Sequence, residues 1–506
     1  MPDYKVPGVY LKETTLSGPS ISPVDCSNAF FIGYTAKAQS YEQNLQGVPT
    51  TVSSMAEFER LFGGEPTTIF NVASSQPYDA EVSYGNQHLT IQNAAPCFRL
   101  YHSVRLYFEN GGKQCYILSV GLYENNVLLL EPLESGIAEL EGLTVPGLLL
   151  IPDAVGLAAN ACYQLQNRML SHCGEDTRYR FAILDIHNAA SPDNHGIADF
   201  RNNLNNTNVG GCGAAYFPWL NSLSYSAEQI NYTCIELSGR ETLANAIHHE
   251  LGKSASPEIT KALGVMTGVY SSSGFHDKRF VKAHKGRYDT VDDTHSTLNA
   301  GSMVYRMVMQ KMMLNCNVIP PCGAVAGVIV RNDVKRGIWK APANLTLVGG
   351  RPTVSVSTAL QEDLNNDADG KSVNAIRTFE GKGTVVWGAR TLLSTDHEVK
   401  YINVARALMF VEQSIYSGIR MLATEDNNAR LWSMVSSIVE QFLYGMWRSG
   451  AFVGSHPDQA YFVKCGLGET MSTADVSEDR LIVMVGVALL KPAEFIVKKL
   501  QMTTAS

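Results

Sequence analysis

The sequence predicts a mixed α/β protein of several domains, on three observations. Short apolar runs alternate with helix-spaced segments between 147 and 220, as in βαβ units. Two long amphipathic stripes are followed by two strands close to the end of the chain. The length of 506 residues, with 45% hydrophobic and 17% charged content, exceeds what one core usually organises and points to two to four domains.

From the start of the chain, VPGVYLKE (6–13) is a short strand-like segment, set apart by the turn-rich SGPSISP (17–23). Pro7 lacks a ladder donor, which confines this strand to an edge or its first position. GLLLIPDA (147–154) and RFAILDIHN (180–188) are apolar runs ending in acidic residues and loop formers, the pattern of buried strands leading to connections. Between them LAANACYQLQNRMLSHC (157–173) carries helix formers at helical spacing. GAAYFPWL (213–220) predicts a third strand, and GAVAGVIVRND (323–333), after the Pro320-Pro321 break, a fourth. Residues 221–317 are polar and Ser-rich, without a strong period before the Met-rich SMVYRMVMQKMML, and are expected as an insertion or looser surface part of the central domain. SVSTALQEDLNNDADGKS (355–372) is expected as a solvated connection.

The C-terminal part is the most regular. Over 401–422, Val404, Leu408, Val411, Ile415, Ile419 and Leu422 form one apolar stripe. Over 430–448, Leu431, Met434, Ile438, Phe442 and Met446 repeat it, with EDNN (425–428) supplying cap residues. The run 481–490 is apolar on both faces and belongs in the middle of a sheet. Beyond Pro492, residues 493–500 set Phe495 and Val497 against Glu494, Ile496 and Lys498, as near an edge. Both ends of the chain are therefore strands that need a sheet, because ordering the backbone costs roughly 1–2 kcal/mol per residue and only pairing offsets it. If a neighbouring copy supplies that sheet in one direction, the product is a helical lattice, not a closed dimer.

Composition excludes other classes. The longest apolar stretch, Leu481 to Leu490, is about half of the roughly 20 residues that a membrane-crossing helix needs. MPDYKVPGVY has neither a basic nor an apolar leader region, so assembly in the cytoplasm is the expectation. The ten cysteines are scattered, and are read as reduced and mostly buried. A net charge of −8 speaks against a general nucleic-acid binder.

Candidate chemistry is weak. His248-His249-Glu250 is HHEL, not the HExxH spacing that puts two imidazoles on one helical face, so solvated histidines are the better reading. Cys162, His172 and Cys173 lack paired CxxC units. Asp153 and Asp185 stand at strand ends, where α/β enzymes keep catalytic groups; the bland alternative is a cap or turn carboxylate. No GxSxG elbow accompanies them, and GLGET (466–470) lacks the Lys-Ser/Thr of a phosphate loop. No catalytic residue, metal or cofactor is assigned, and an α/β hydrolase stays as the alternative class.

Many segments in fixed order resemble the contractile tail sheath proteins of bacteriophage tails, R-type pyocins and contractile injection systems. They are VPGVYLKE, ISPVDCSNAFFIGYT (21–35), NGGKQCYILSV (110–120), GAAYFPWL, PPCGAVAGVIVRNDVKRGIWKAPAN (320–344), GKGTVVWGARTL (381–392), YINVARALMFVEQSI (401–415), WRSGAFVG (447–454), QAYFVKCG (459–466) and KPAEFIV (491–497), with 221–317 outside the match. The resemblance implies a structural sheath subunit: a helical sleeve of stacked sixfold rings around an inner tube, contracting to drive the tube through a target envelope. A static lattice protein shares the arm logic and remains an alternative. The resemblance implies an extended arm over 1–24, a small outer subdomain over 25–103, a central α/β outer domain over 104–388, a C-terminal inner domain over 389–480, and terminal strands over 481–506. It implies strand exchange between subunits through Val6, Pro7, Gly8, Val9, Tyr10, Leu11, Phe495, Ile496 and Val497, with Leu481, Val483, Val485 and Val487 on the acceptor strand. Arg420, Arg430 and Arg448, off the apolar stripes, are candidates to face the tube. The implied partners are further copies of this chain, the tube protein, baseplate and terminator proteins, and paralogous sheath subunits, with no nucleic acid and no membrane insertion. The resemblance implies assembly in the bacterial cytoplasm and a particle that is a phage tail or an extracellular or cell-anchored contractile device.

Overall fold

The computed structural model describes residues 20–41, 43–94, 96–125, 127–176, 179–190, 195–205, 207–268 and 291–504. The expected strand containing Val6, Pro7, Gly8, Val9, Tyr10 and Leu11 lies outside the described residues. The chain divides into two compact units, Asp25–Ala407 and the pair Met1–Val24 with Leu408–Ser506.

Asp25–Ala407 is built on a nine-stranded sheet. Across it run Cys115–Leu122, Asn28–Thr35, Gly147–Leu150, Arg180–Asp185, Gly213–Phe217 and Val373–Phe379, each parallel to the next. Antiparallel strands extend both edges: Thr50–Val52 beside the first, and Gly383–Val386 then Leu345–Thr346 beyond the last. Parallel strands need cover on both faces, which explains why they read as unbroken apolar runs. Asn28–Thr35 is buried throughout. Its Phe30, Ile32 and Tyr34 enter a core with Leu133, Ile137, Cys162 and Leu165 of the helices Leu130–Glu139 and Ala159–Ser171. Phe31 points the other way, edge-on to Tyr107 of the helix Leu100–Glu109 with ring centroids 5.4 Å apart. The predicted βαβ unit is present as Gly147–Leu150, Ala159–Ser171 and Arg180–Asp185, and the third strand as Gly213–Phe217.

The predicted fourth strand is a helix, Cys322–Arg336. Its apolar residues are small, and a short buried run carries no period that separates strand from helix. Packing decides: a Cβ at Gly323 would stand 2.1 Å from the Ser103 carbonyl oxygen, and one at Gly327 2.3 Å from that of Tyr107. These glycines bring the helix backbone against Leu100–Glu109, a contact no strand in the sheet would make.

Residues 221–317 also depart from expectation. The described part forms helices Leu237–Leu251, Pro257–Met266, Val291–Gly301 and Met303–Cys316. Leu243, Ile247, Leu263, Val304, Tyr305, Val308 and Met312 make a separate core with Phe70, Val72, Leu89 and Ile91. Those last four come from the meander Phe70–Ser74, Val82–Tyr84 and Gln87–Asn93. Each helix alone is too polar to suggest a core, and the residues that complete it, Phe70, Val72, Val82, Leu89 and Ile91, come from strands far upstream. The stretch 355–372 is likewise not all connection: it holds the helix Thr358–Asn365, capped by Ser357, with Leu364 buried.

In the C-terminal unit, Asn428 caps the helix Ala429–Arg448 by accepting N–H bonds from Arg430 and Leu431. The buried face of that helix includes Val435, Val439 and Leu443, while Met434 is only half-buried. The predicted stripe of Leu408, Val411, Ile415, Ile419 and Leu422 is buried.

Candidate assembly surfaces

The C-terminal sheet has the order Tyr461–Lys464, Arg480–Val487, Ile496–Thr503, antiparallel throughout. Leu481, Val483, Val485 and Val487 form its buried face. The strand that carries them is central, as its apolar character required, but Ile482 and Met484 on its other face are half-buried. Within one chain both edges of this strand are occupied: Tyr461 pairs with Val487 on one side and Ile496 with Val487 on the other. The last strand is the edge strand, in a different register from the expected one. Ile496 and Met502 are buried and Val497 is 46% exposed, because pairing starts at Ile496 and side chains alternate from there. Phe495 sits just before the strand, edge-on to Phe462 at 5.2 Å. Lys498 reaches Glu412 at 3.2 Å, tying the edge strand to the helix Ile402–Arg420.

Arg420, Arg430 and Arg448 are all exposed, and none makes an ion pair among the described residues. Arg430 and Arg448 lie eighteen residues apart, five turns at about 3.6 residues per turn, so they share one face of their helix with exposed Gln441 and Tyr444. Arg420 ends the preceding helix.

The strand-end carboxylates serve helices. Asp153, fully buried, accepts N–H bonds from Tyr34 at 2.8 Å and from Arg99 and Leu100, the last at 3.1 Å, and so caps the helix that begins at Leu100. Gly33 leaves room for it: a Cβ there would stand 2.5 Å from Asp153 Oδ2. Asp185 accepts the Cys322 N–H at 2.9 Å and caps the helix Cys322–Arg336. Burial pushes the Asp185 carboxyl up to about 7, and Asp153, held by three backbone donors, only to about 6. Glu250 of the HHEL run accepts from the N–H groups of Met303 at 2.6 Å and Val304 at 3.2 Å and from the Ser302 hydroxyl, capping Met303–Cys316. His248 and His249 are exposed on the last turn of their helix.

Cys162 and Cys173 are buried core thiols, and His172 lies 2.8 Å from the guanidinium of Arg180. Sequence reasoning missed Arg180. It is buried at the start of a strand, stacks on Phe30 at 4.6 Å, and donates to the carbonyls of Leu140 and Leu143 beyond the helix Leu130–Glu139. An Arg opening an apolar run is its only signal. Among the described residues no group of three or more His, Cys, Asp or Glu side chains could hold a metal ion, and no helix is long and apolar enough to cross a membrane. An open cleft of 390 Å³, lined by Asn160, Tyr163, Gln164, Asn167, Asn203 and Asn205, carries no charged side chain.

Comparison with known proteins gives a consistent answer. No family model matches the chain. A tail sheath protein of Salmonella phage ViI is 28% identical over 158 residues, a match covering 31% of this chain and 24% of the phage protein's length. Among solved structures, a chain of the anti-feeding prophage (AFP) baseplate in the contracted state is 26% identical with a TM-score of 0.59, over 98% of each chain. A chain of the contracted PVC sheath complex, an extracellular contractile injection system, shares the fold at 23% identity with a TM-score of 0.55, over 100% of this chain and 99% of that one. With the ordered run of sheath-like segments in its sequence, the chain is similar over part of its length to a phage tail sheath protein and end to end to a chain of a contractile particle.

Proposed function

We propose that this chain is the sheath subunit of a contractile phage-tail-like particle, polymerising into a helical sleeve of stacked sixfold rings and contracting to drive an inner tube through a target envelope. The observation that carries the reading is the likeness over 98% of both chains to a component of a contractile particle. A structural role also agrees with the site chemistry, since Asp153, Asp185 and Glu250 are each committed to a helix cap. The partners are further copies of the chain, the tube, baseplate and terminator proteins, and paralogous sheath subunits. Assembly takes place in the bacterial cytoplasm.

Strand exchange supplies the linkage. Residues 4–13, fully extended, reach at most about 33–36 Å, enough to cross a subunit boundary. Val6, Pro7, Gly8, Val9, Tyr10 and Leu11 from one copy, and the strand opening at Phe495, Ile496 and Val497 from another, add to a neighbour's Leu481–Val487 sheet by backbone pairing. The pairing of Val487 with Ile496 inside one chain defines the register such an exchange would reproduce. Arg420, Arg430 and Arg448 face the tube. Their exposure suits an interface that must hold before firing and release afterwards, because each solvent-exposed pair contributes only about 0–1 kcal/mol.

Negative-stain microscopy of the protein co-expressed with its tube partner tests the reading. Long hollow polymers that convert from an extended to a shorter, wider form are expected. A monodisperse monomer or closed dimer under all salt conditions overturns it, and a lattice with no second form favours a static structural protein.

A further inference from the structure

We infer that the buried ion pair between Arg406 and Asp333 is a clamp that fixes both chain connections leaving the Asp25–Ala407 unit onto one internal helix. The chain enters this unit at Asp25 and leaves it at Ala407, so every connection to the rest of the subunit passes through residues next to Cys26 and Arg406. Arg406 Nη2 lies 2.7 Å from Asp333 Oδ2, with the two side chains 1% and 5% exposed. The same nitrogen donates to the Cys26 carbonyl at 3.3 Å. One guanidinium group thus holds the incoming segment, belongs to the outgoing one, and is anchored by an acid on the helix Cys322–Arg336. That helix is fixed in turn, by the Asp185 cap at its start and by Gly323 and Gly327 against its neighbour. A second contact backs the outgoing side, where Asn403 Nδ2 donates to the Trp339 carbonyl at 3.1 Å.

The chemistry suits positioning better than stability. A buried ion pair loses about as much in desolvation as it gains in attraction, and apolar residues of similar volume often serve stability as well or better. The pair is a close charge contact, and among the described residues Arg406 Nε finds no hydrogen-bond partner. An apolar pair could fill the space but could not bond the Cys26 carbonyl. In a sheath, both terminal segments would pull on the subunit through these two connections, and the clamp delivers that load to the helix core of the larger unit, not to the loop ends.

Cys26 provides the test, since its thiol is buried and burial pushes it up to about 12, so it reacts only when the incoming segment lifts. The double variant Arg406→Met with Asp333→Leu leaves no buried charge unpaired. In the unassembled subunit, iodoacetamide labelling of Cys26, read by mass spectrometry, should accelerate at least about tenfold, the signature of a local opening. Cys115 and Cys162, buried elsewhere in the same unit, should keep their parent rates. Amide hydrogen exchange over 404–409 should rise in the same variant. If the double variant does not fold, Arg406→Lys keeps the charge and loses the fork, and should speed Cys26 labelling in the same selective way. An unchanged Cys26 rate, unchanged exchange over 404–409, or acceleration of all buried thiols together would each overturn the clamp. Because these measurements use the unassembled subunit, their outcome is separate from whether the chain forms a sheath.

Discussion

Phe462 lies directly opposite Gly486 in the C-terminal sheet, and its ring fills the space a side chain at 486 would need: a Cβ there would stand 2.1 Å from the ring. The glycine removes a side chain from the central strand, and the aromatic ring of its neighbour covers the exposed backbone. Phe495 then packs on the same ring, so the last strand is placed through Phe462 as well as through its own hydrogen bonds.

Gly486→Ala should therefore destabilise the C-terminal sheet by about 1–3 kcal/mol, the range for overpacking a filled site. Thermal melting of the unassembled subunit checks this. Adding Phe462→Leu should recover part of the loss; if the two substitutions simply add, the ring is not what excludes the side chain.

The two capping carboxylates predict a pH dependence. An ordinary Asp titrates near 3.8, and burial raises Asp153 to about 6 and Asp185 to about 7. A raised folded-state value means that the neutral form is the better-tolerated one. Their contribution is fully present below about 3.8 and is lost as pH rises through about 6 for Asp153 and about 7 for Asp185. Asp185→Asn should flatten the fall in stability across this window, which for a rise from 3.8 to about 7 is on the order of 4 kcal/mol between its ends, as read by melting at a series of pH values. Equal slopes in parent and variant would show that Asp185 does not titrate there.

Charge reversal of Arg420, Arg430 and Arg448 together should leave the subunit fold unchanged by circular dichroism, since all three side chains are exposed. Assembly around the tube should fail, giving empty or prematurely contracted sheaths in micrographs. Parent sheath and tube should separate more readily as salt rises, with a screening length of about 8 Å at physiological ionic strength. Salt-independent association would remove the three arginines from the tube interface.

Deleting residues 1–15 should leave a folded subunit that does not polymerise, because the strands described in both units, from Asn28 to Thr503, pair with one another. Truncation after Leu490 removes the strand paired with Arg480–Val487 and should also block polymerisation, with some loss of stability in the C-terminal sheet. Lengthening the 17–23 segment by two or three flexible residues should give sheaths that assemble extended but contract poorly. Parent-like polymerisation and contraction by the arm deletion would mean that the terminal strands only close the subunit's own sheet.

The parts whose environment is local and periodic are legible from residue order alone. The amphipathic stripes from Leu408 to Leu422 and from Leu431 to Met446 each need one buried face, and a 3.6-residue period states that without reference to anything else. The strands at Leu148 and Phe181 were legible because parallel strands are buried on both sides. Tertiary structure decided the rest. Gly323 and Gly327 make a helix of an apolar run because a second helix backbone comes to meet them. Phe70, Val72, Leu89 and Ile91 cover the helices of the polar stretch after Asn221 and complete a core with them. Asp153 and Asp185 hold their usual positions at strand ends, yet whether such a carboxylate caps a helix or serves a reaction depends on which backbone N–H groups arrive beside it. Arg406 and Asp333 stand 73 positions apart in the numbering, and no spacing rule links them; their pairing exists only because the fold removes water from both.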